Sequence, residues 1–173
     1  MFGLATDDGH SYHNIPSRTS NPGRGWIEVL SRELTPEAIV KSIERGYFYA
    51  SSGVKLERFL VSPRGVDVLV RPDPGIDYTI DFIGTRSGYA KESEPVIDPA
   101  GEQVRTTRRY SNDIGRVIKT VSGTHGHYTF APTDLYIRAR ITSSKKHPNP
   151  SVPGEYEQAW CQPVRGPAGR NHP

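Results

Sequence analysis

Two short stretches of the sequence concentrate side chains that can hold a metal or move a proton. The first, "ATDDGHSYH" at residues 5–13, places Asp7, Asp8, His10 and His13 within seven residues, just after the apolar run "FGLAT" at 2–6. Asp8 and His10 form a D-x-H. Residues two apart in an extended chain project to the same side, so this spacing lets the pair converge on one ion. A carboxylate with an imidazole suits zinc, manganese or iron better than calcium. The plainer alternative is a turn in which an aspartate caps backbone N–H groups and the histidines face solvent. The second stretch, "HGH", holds His125 and His127 between Gly123 and "YTF", with no acidic residue close by in sequence. It reads as a polar loop or an exposed strand face, with circular permutation or a separate transition-metal site as the competing reading.

Other reactive types carry weaker patterns. Ser51 and Ser52 lie in no nucleophile-elbow context, and no phosphate-cradling glycine loop is present. Cys161 is the single cysteine, which excludes an intrachain disulfide and a cysteine-rich zinc site, and it reads as buried filler. Arg105, Arg108, Arg109 and Arg116 form a basic stretch, but Glu92, Glu94 and Glu102 stand among them, so it reads as a solvated loop. Trp26 and Trp160 each sit in an apolar strand pattern, which favours core packing over ligand stacking.

The elements that must position these residues are short. "FGLAT" reads as a buried strand ending at the acidic cluster. Residues 14–24 are loop, and "GWIEVL" is a short strand. "TPEAIVKSIERG" predicts a helix over about 36–45. Thr35 is its N-cap, Pro36 its first residue and Gly46 its terminator; Ala38, Ile39 and Ile43 form its apolar stripe. Beyond Gly46 the period changes from helical to two, in "YFYASSG", "GVDVLVRP", "DYTIDFIG", "GRVIKTVSG", "HYTF", "DLYIRARIT" and "EQAWCQPV". Many short strands separated by turn signals predict an antiparallel sandwich. Residues 86–113 read as a long loop or a disordered insertion, the stretch "SSKKHPNPSVPGE" as a second loop, and "RGPAGRNHP" as a disordered tail.

The expected fold class is therefore α+β. A short α/β fragment of strand, loop and helix over residues 1–50 precedes an antiparallel immunoglobulin-like β-sandwich over 51–164, with a disordered tail at 165–173. Composition narrows function further. Twenty-two basic residues against 19 acidic ones leave a net charge of +3, a mixed surface that does not call for nucleic acid. No apolar run approaches the roughly 20 residues of a membrane span, and the N-terminus lacks a signal-peptide pattern, so a soluble chain of unassigned location is expected.

The series "DDGH", "PGRGW", "FYASSG", "YIRARI" and "AWCQPV", in this order, resembles the C-terminal portion of the polymerase and histidinol phosphatase (PHP) family, in the branch that carries a β-sandwich after its barrel. The resemblance implies an irregular (β/α) barrel with metal ions at the strand C-termini and hydrolysis of phosphoesters or other esters. It assigns Asp8 and His10 to the family's closing D-x-H as metal ligands for zinc, manganese or iron. Asp7 becomes a supporting residue or cap, His13 a side chain that faces the site or solvent, and Arg24 a possible contact for an anionic substrate. The family's earlier ligands, beginning with an H-x-H, come from strands upstream that this sequence lacks. The expectation is a chain inactive by itself that associates with the missing barrel portion. The alternative is a non-enzymatic β-sandwich that binds a protein or carbohydrate.

Overall fold

The computed structural model describes residues 2–17 and 19–170. The period-two segments become strands β1 (Trp26–Val29), β2 (Phe48–Ser51), β3 (Leu56–Ser62), β4 (Gly65–Val70), β5 (Tyr78–Arg86), β6 (Ser93–Ile97), β7 (Gln103–Tyr110), β8 (Arg116–Ser122), β9 (His125–Thr129), β10 (Asp134–Lys146), β11 (Tyr156–Trp160) and β12 (Val164–Arg165). The main sheet has the order β1-β2-β11-β10-β5-β8, with β12 also on β10; a second sheet has the order β3-β4-β9. All these pairs are antiparallel.

The two sheets close on one core. Ile80, Phe82, Ile137, Ala139, Ile141 and Ala159 from the main sheet meet Val66, Val68, Val70 and Tyr128 from the second, all buried. Cross-strand partners alternate in size. Ala139 lies opposite Phe82, and Gly84 opposite Ile137, so bulk on one strand fills the gap on its neighbour. This is the expected α+β fold, an antiparallel sandwich entered through a loop and a short helix.

That helix, α1 (Pro36–Glu44), is built from local signals. The Thr35 hydroxyl accepts from the Ala38 N–H, and Pro36 occupies the first turn. At the other end Gly46 N–H donates to Ile43 C=O and Tyr47 N–H to Ser42 C=O, a Schellman closure with Gly46 at φ +75°. The chain then turns directly into β2, and β2 pairs with both β1 and β11. The main sheet thus runs across residue 50, where composition suggested a boundary.

Several expectations change. Residues 2–6 form no strand, and Phe2 and Leu4 are 43% and 61% exposed. A strand needs a neighbour for its backbone groups, and among the described residues this segment's backbone is bonded by Gln162 alone. The Gln162 side-chain amide accepts from Gly3 N–H and donates to Gly3 C=O. Residues 86–113 are not a loop but contain the hairpin β6–β7, which pairs only with itself. The Asp98 carboxylate organises its turn by accepting from Ala100 and Glu102 N–H. Strand β10 continues through Lys146 into the stretch expected as a second loop. Part of the expected tail is ordered as well. Helix α2 (Pro167–Arg170) lies against β10, so closely that a Cβ at Gly169 would meet the Leu135 carbonyl; residues 171–173 fall outside the described residues. Trp160 packs outside the core, because the inward positions of β11 belong to Glu157 and Ala159. No described helix is long and apolar enough to cross a membrane.

Candidate metal centre

Asp7 organises the N-terminal loop. Its carboxylate accepts from three successive backbone N–H groups, Gly23 at 2.8 Å, Arg24 at 2.8 Å and Gly25 at 2.7 Å. Burial works to raise the Asp7 pKa, but these three donors and the Arg24 charge outweigh it and hold the carboxyl below its ordinary range. This is the physical content of the "DD…PGRGW" spacing. The first aspartate is a cap, and the Gly-Arg-Gly turn is its nest of donors. A second tie comes from far along the chain. Buried Asn149, on the loop after β10, donates through its side-chain amide to the Asn21 side-chain oxygen at 2.6 Å and to Pro22 C=O at 3.0 Å. His10 and Ser11 N–H both donate to Ser20 C=O, closing the loop on itself.

On this frame Asp8 and His10 project outward, with side chains 85% and 75% exposed. Asp8 does not continue an extended strand. It sits at φ +46°, a left-handed conformation that aspartate tolerates better than most residues. The same-side geometry expected from strand alternation is therefore replaced by a turn. His10 Nδ1 lies 2.6 Å from the Asp8 carbonyl and 3.9 Å from its carboxylate. A carbonyl only accepts, so Nδ1 carries the proton and donates, which leaves the neutral ring's Nε2 lone pair free.

The other members are separated in role. His13 is exposed on the same loop. Arg24 turns inward, with Nη2 donating to Ser17 C=O at 2.6 Å and Nε buried without a partner among the described residues, so it braces the loop. Among the described residues, no three His, Cys, Asp or Glu side chains stand arranged to seat a metal ion.

The "FYASSG" junction also has a structural account. The Ser51 hydroxyl donates to Val54 C=O and accepts from Gly53 N–H. Gly53 sits at φ +145°, and a Cβ there would lie 2.3 Å from the Glu157 carboxyl carbon. Ser51 is thus a turn residue, and no larger residue fits at 53. Cys161 is buried, and burial pushes its thiol pKa far up, which suits filler rather than a nucleophile.

The "HGH" stretch is an exposed strand face, one of its two readings, but the expectation that it has no acidic partner needs correction. It forms β9, and its acidic partner lies across the sheet. Asp67 on β4 is the register partner of His127, and its carboxylate is 2.8 Å from His125 Nε2. Sequence reasoning missed Asp67 because the partnership spans about 60 residues. The signal available was that "GVDVLV" and "HGHYT" both alternate with their polar members on one face. No family model, curated protein or solved structure matches this chain.

Proposed function

We propose that residues 2–50 are the closing segment of a PHP-like metal-dependent hydrolase of the phosphoesterase class, with Asp8 and His10 as two of its metal ligands. The observation that carries this reading is the state of His10. Its Nδ1–H is tied to a backbone carbonyl on a largely exposed side chain, which leaves the Nε2 lone pair unused, as metal-ligating imidazoles are commonly prepared. An exposed carboxylate stands beside it, on a loop fixed by Asp7 and Asn149.

The donor set fits zinc, manganese or iron in type but not in number. A catalytic zinc site takes about three protein ligands, and this loop presents Asp8 and His10 with His13 nearby. The rest must come from another polypeptide segment. Exposed apolar side chains support this incompleteness: Phe2, Leu4, Leu30, Leu34, Val40 and Tyr47 all face solvent within the first 47 residues. A divalent ion held there supplies charge stabilisation at a phosphoryl or acyl oxygen. The chain's own part is to orient His10 through the Asp8 carbonyl, to hold the loop through Asp7, and to brace it through Arg24.

The test is complementation, with p-nitrophenyl phosphate as substrate. A PHP-type barrel truncated before its own closing D-x-H regains turnover when this chain is added, in a concentration-dependent way, and the Asp8→Ala/His10→Ala chain does not restore it. No gain at any concentration, or equal gain with the double variant, overturns the reading. Substantial turnover by the 173-residue chain alone, abolished by His10→Ala, overturns its incompleteness.

One observation favours a second reading, a non-enzymatic binding module. An open groove of about 1020 Å³ runs between residues 2–5 and the outer face of the main sheet, lined by Tyr136, Arg138, Trp160 and Arg165. Aromatic faces beside two arginines suit an acidic or sugar-bearing partner. Binding there survives Asp8→Ala/His10→Ala and is lost with Arg138→Ala/Trp160→Ala.

A further inference from the structure

The outer face of the main sheet carries four side chains whose polar groups the described residues leave without partners. Strand β10 is paired on both sides, and its inward residues Ile137, Ala139 and Ile141 are buried, so its outward residues stand on a fixed floor. Alternation turns Tyr136, Arg138 and Arg140 outward. Register then sets Arg165 of β12 opposite Tyr136, and Trp160 of β11 opposite Arg140. On the other side of Trp160 lies Ala50 of β2, whose small side chain keeps the face open beside the indole. Residues 2–5 form the far wall. The Gln162 side chain holds Gly3 through hydrogen bonds of 2.9 and 2.8 Å, and the Phe2 ring packs edge-on against Phe48. The groove between floor and wall has a volume of about 1020 Å³.

The positive charge in this groove is uncompensated. None of its lining residues is acidic. On the same face Arg140 is neutralised by Asp81 at 2.8 Å, and Gln158 is bonded to Thr142. Among the described residues, by contrast, Arg138 and Arg165 have no carboxylate partner, and the Trp160 N–H and Tyr136 hydroxyl have no hydrogen-bond partner. An arginine fork takes a carboxylate through two parallel hydrogen bonds. An aromatic face takes the apolar C–H face of a sugar ring, while its polar tip meets a hydroxyl. From Tyr136 to the position opposite Trp160 is four residues along β10, roughly 13 Å, with Arg138 midway. A site of that length suits a chain of repeating units rather than one small molecule.

Two other anionic chains fit less well. An acidic peptide that adds to a sheet draws affinity from main-chain bonds at an open edge, and the backbone of β10 is already paired on both sides. Single-stranded nucleic acid carries a phosphate on every unit and needs a basic track along its backbone. This groove offers two unpaired arginines, on a chain of net charge +3.

We propose, resting on the binding-module reading, that this groove binds an acidic oligosaccharide of the uronic-acid class. Arg138 and Arg165 meet its carboxylates, and Tyr136 and Trp160 lie against its rings.

Calorimetric titration of the full chain tests this, with tetramers of galacturonic acid, mannuronic acid and glucose, and with decaglutamate and decathymidylate, as probes. At least one uronic tetramer is expected to bind one to one, roughly 10-fold or more tighter than the glucose tetramer, and more weakly as salt is added. Arg138→Ala/Arg165→Ala and Trp160→Ala each weaken that binding about 10-fold. Trp160→Phe retains most of it, and Asp8→Ala/His10→Ala leaves it unchanged. These variants melt like the parent, because the altered side chains lie outside the core. Equal binding of the glucose tetramer overturns the proposal, as does undiminished binding by the arginine pair or Trp160→Ala variant. Binding of decaglutamate or decathymidylate with neither uronic tetramer bound overturns it and leaves the binding-module reading standing. If no probe binds, both fall.

Discussion

The loop cluster of Asp7, Asp8, His10 and His13 and the strand cluster of Asp67, His125 and His127 use the same side-chain chemistry but are positioned by different physics. The loop cluster is held by capping. Asp7 gathers the Gly23–Gly25 N–H groups, and Asn149 pins the loop from 128 residues away. Its ligand pair is left outside the fold, facing no other protein donor. The strand cluster is held by register. Its three side chains stand where the pairing of β4 with β9 puts them, and they already satisfy one another. Capping leaves a ligand pair that waits for other ligands; register makes a group whose histidines already meet Asp67. That contrast gives each cluster its own way to fail.

The largest effect is expected under the strand cluster. Gly126→Leu drives a side chain into Ile80 and Phe82, and overpacking of this kind costs about 3 kcal/mol. Urea denaturation should show it, and an unchanged midpoint would mean that β9 does not rest on the main sheet as described. Asp7→Ala comes next. Loss of three hydrogen bonds to a half-buried carboxylate, at a solvent-screened site, is expected to cost about 2 kcal/mol and to loosen residues 7–25 in hydrogen exchange. If amide protection at Gly23–Gly25 persisted, the cap would not be what positions the pair.

Asp81 offers a reference, a strand-borne carboxylate paired with cation and hydroxyl but no imidazole. Burial works to raise its pKa, yet hydrogen bonds from Arg140 and Thr120, with the Arg140 charge, lower it from 3.8. A depressed folded value means the contribution is present above the ordinary carboxylate range and is lost as pH falls through the folded value. We expect about 1 kcal/mol, discounted for the partly exposed arginine, to disappear below about pH 4, and Asp81→Asn to flatten that part of the stability curve. An unaltered acid limb in the variant would remove Asp81 from the explanation. The smallest effect is in the strand cluster. His125→Ala/His127→Ala should shift stability by less than about 1 kcal/mol, because the ion pairs it removes are exposed. A larger loss in thermal melts would mark the histidines as structural.

What the sequence disclosed follows the range of the interactions involved. Helix α1 was legible because Thr35, Pro36 and Gly46 act within a few residues of it. The sandwich was legible because the valines and isoleucines of β4, β5 and β10 alternate against one core. The hairpin β6–β7 was not, since nearly every residue in it is exposed and no burial pattern marks it. "FGLAT" looked like a strand because apolar content predicts burial, but a strand needs a backbone partner, and here the Gln162 side chain bonds Gly3 in place of a neighbouring strand. Within the loop cluster the candidate ligands could be read from residue types alone, whereas the turn at Asp8 and the inward commitment of Arg24 could not. Asp67 was hidden by strand pairing, which no local pattern specifies.

The most direct measurement is a metal count by mass spectrometry after dialysis against zinc. It compares the parent chain, Asp8→Ala/His10→Ala and His125→Ala/His127→Ala. If capping leaves a half-site and register leaves a trio satisfied by its own hydrogen bonds, none of the three chains retains stoichiometric zinc. One zinc retained by the parent and lost by the loop variant would contradict this, because Asp8 and His10 would then hold metal without further ligands.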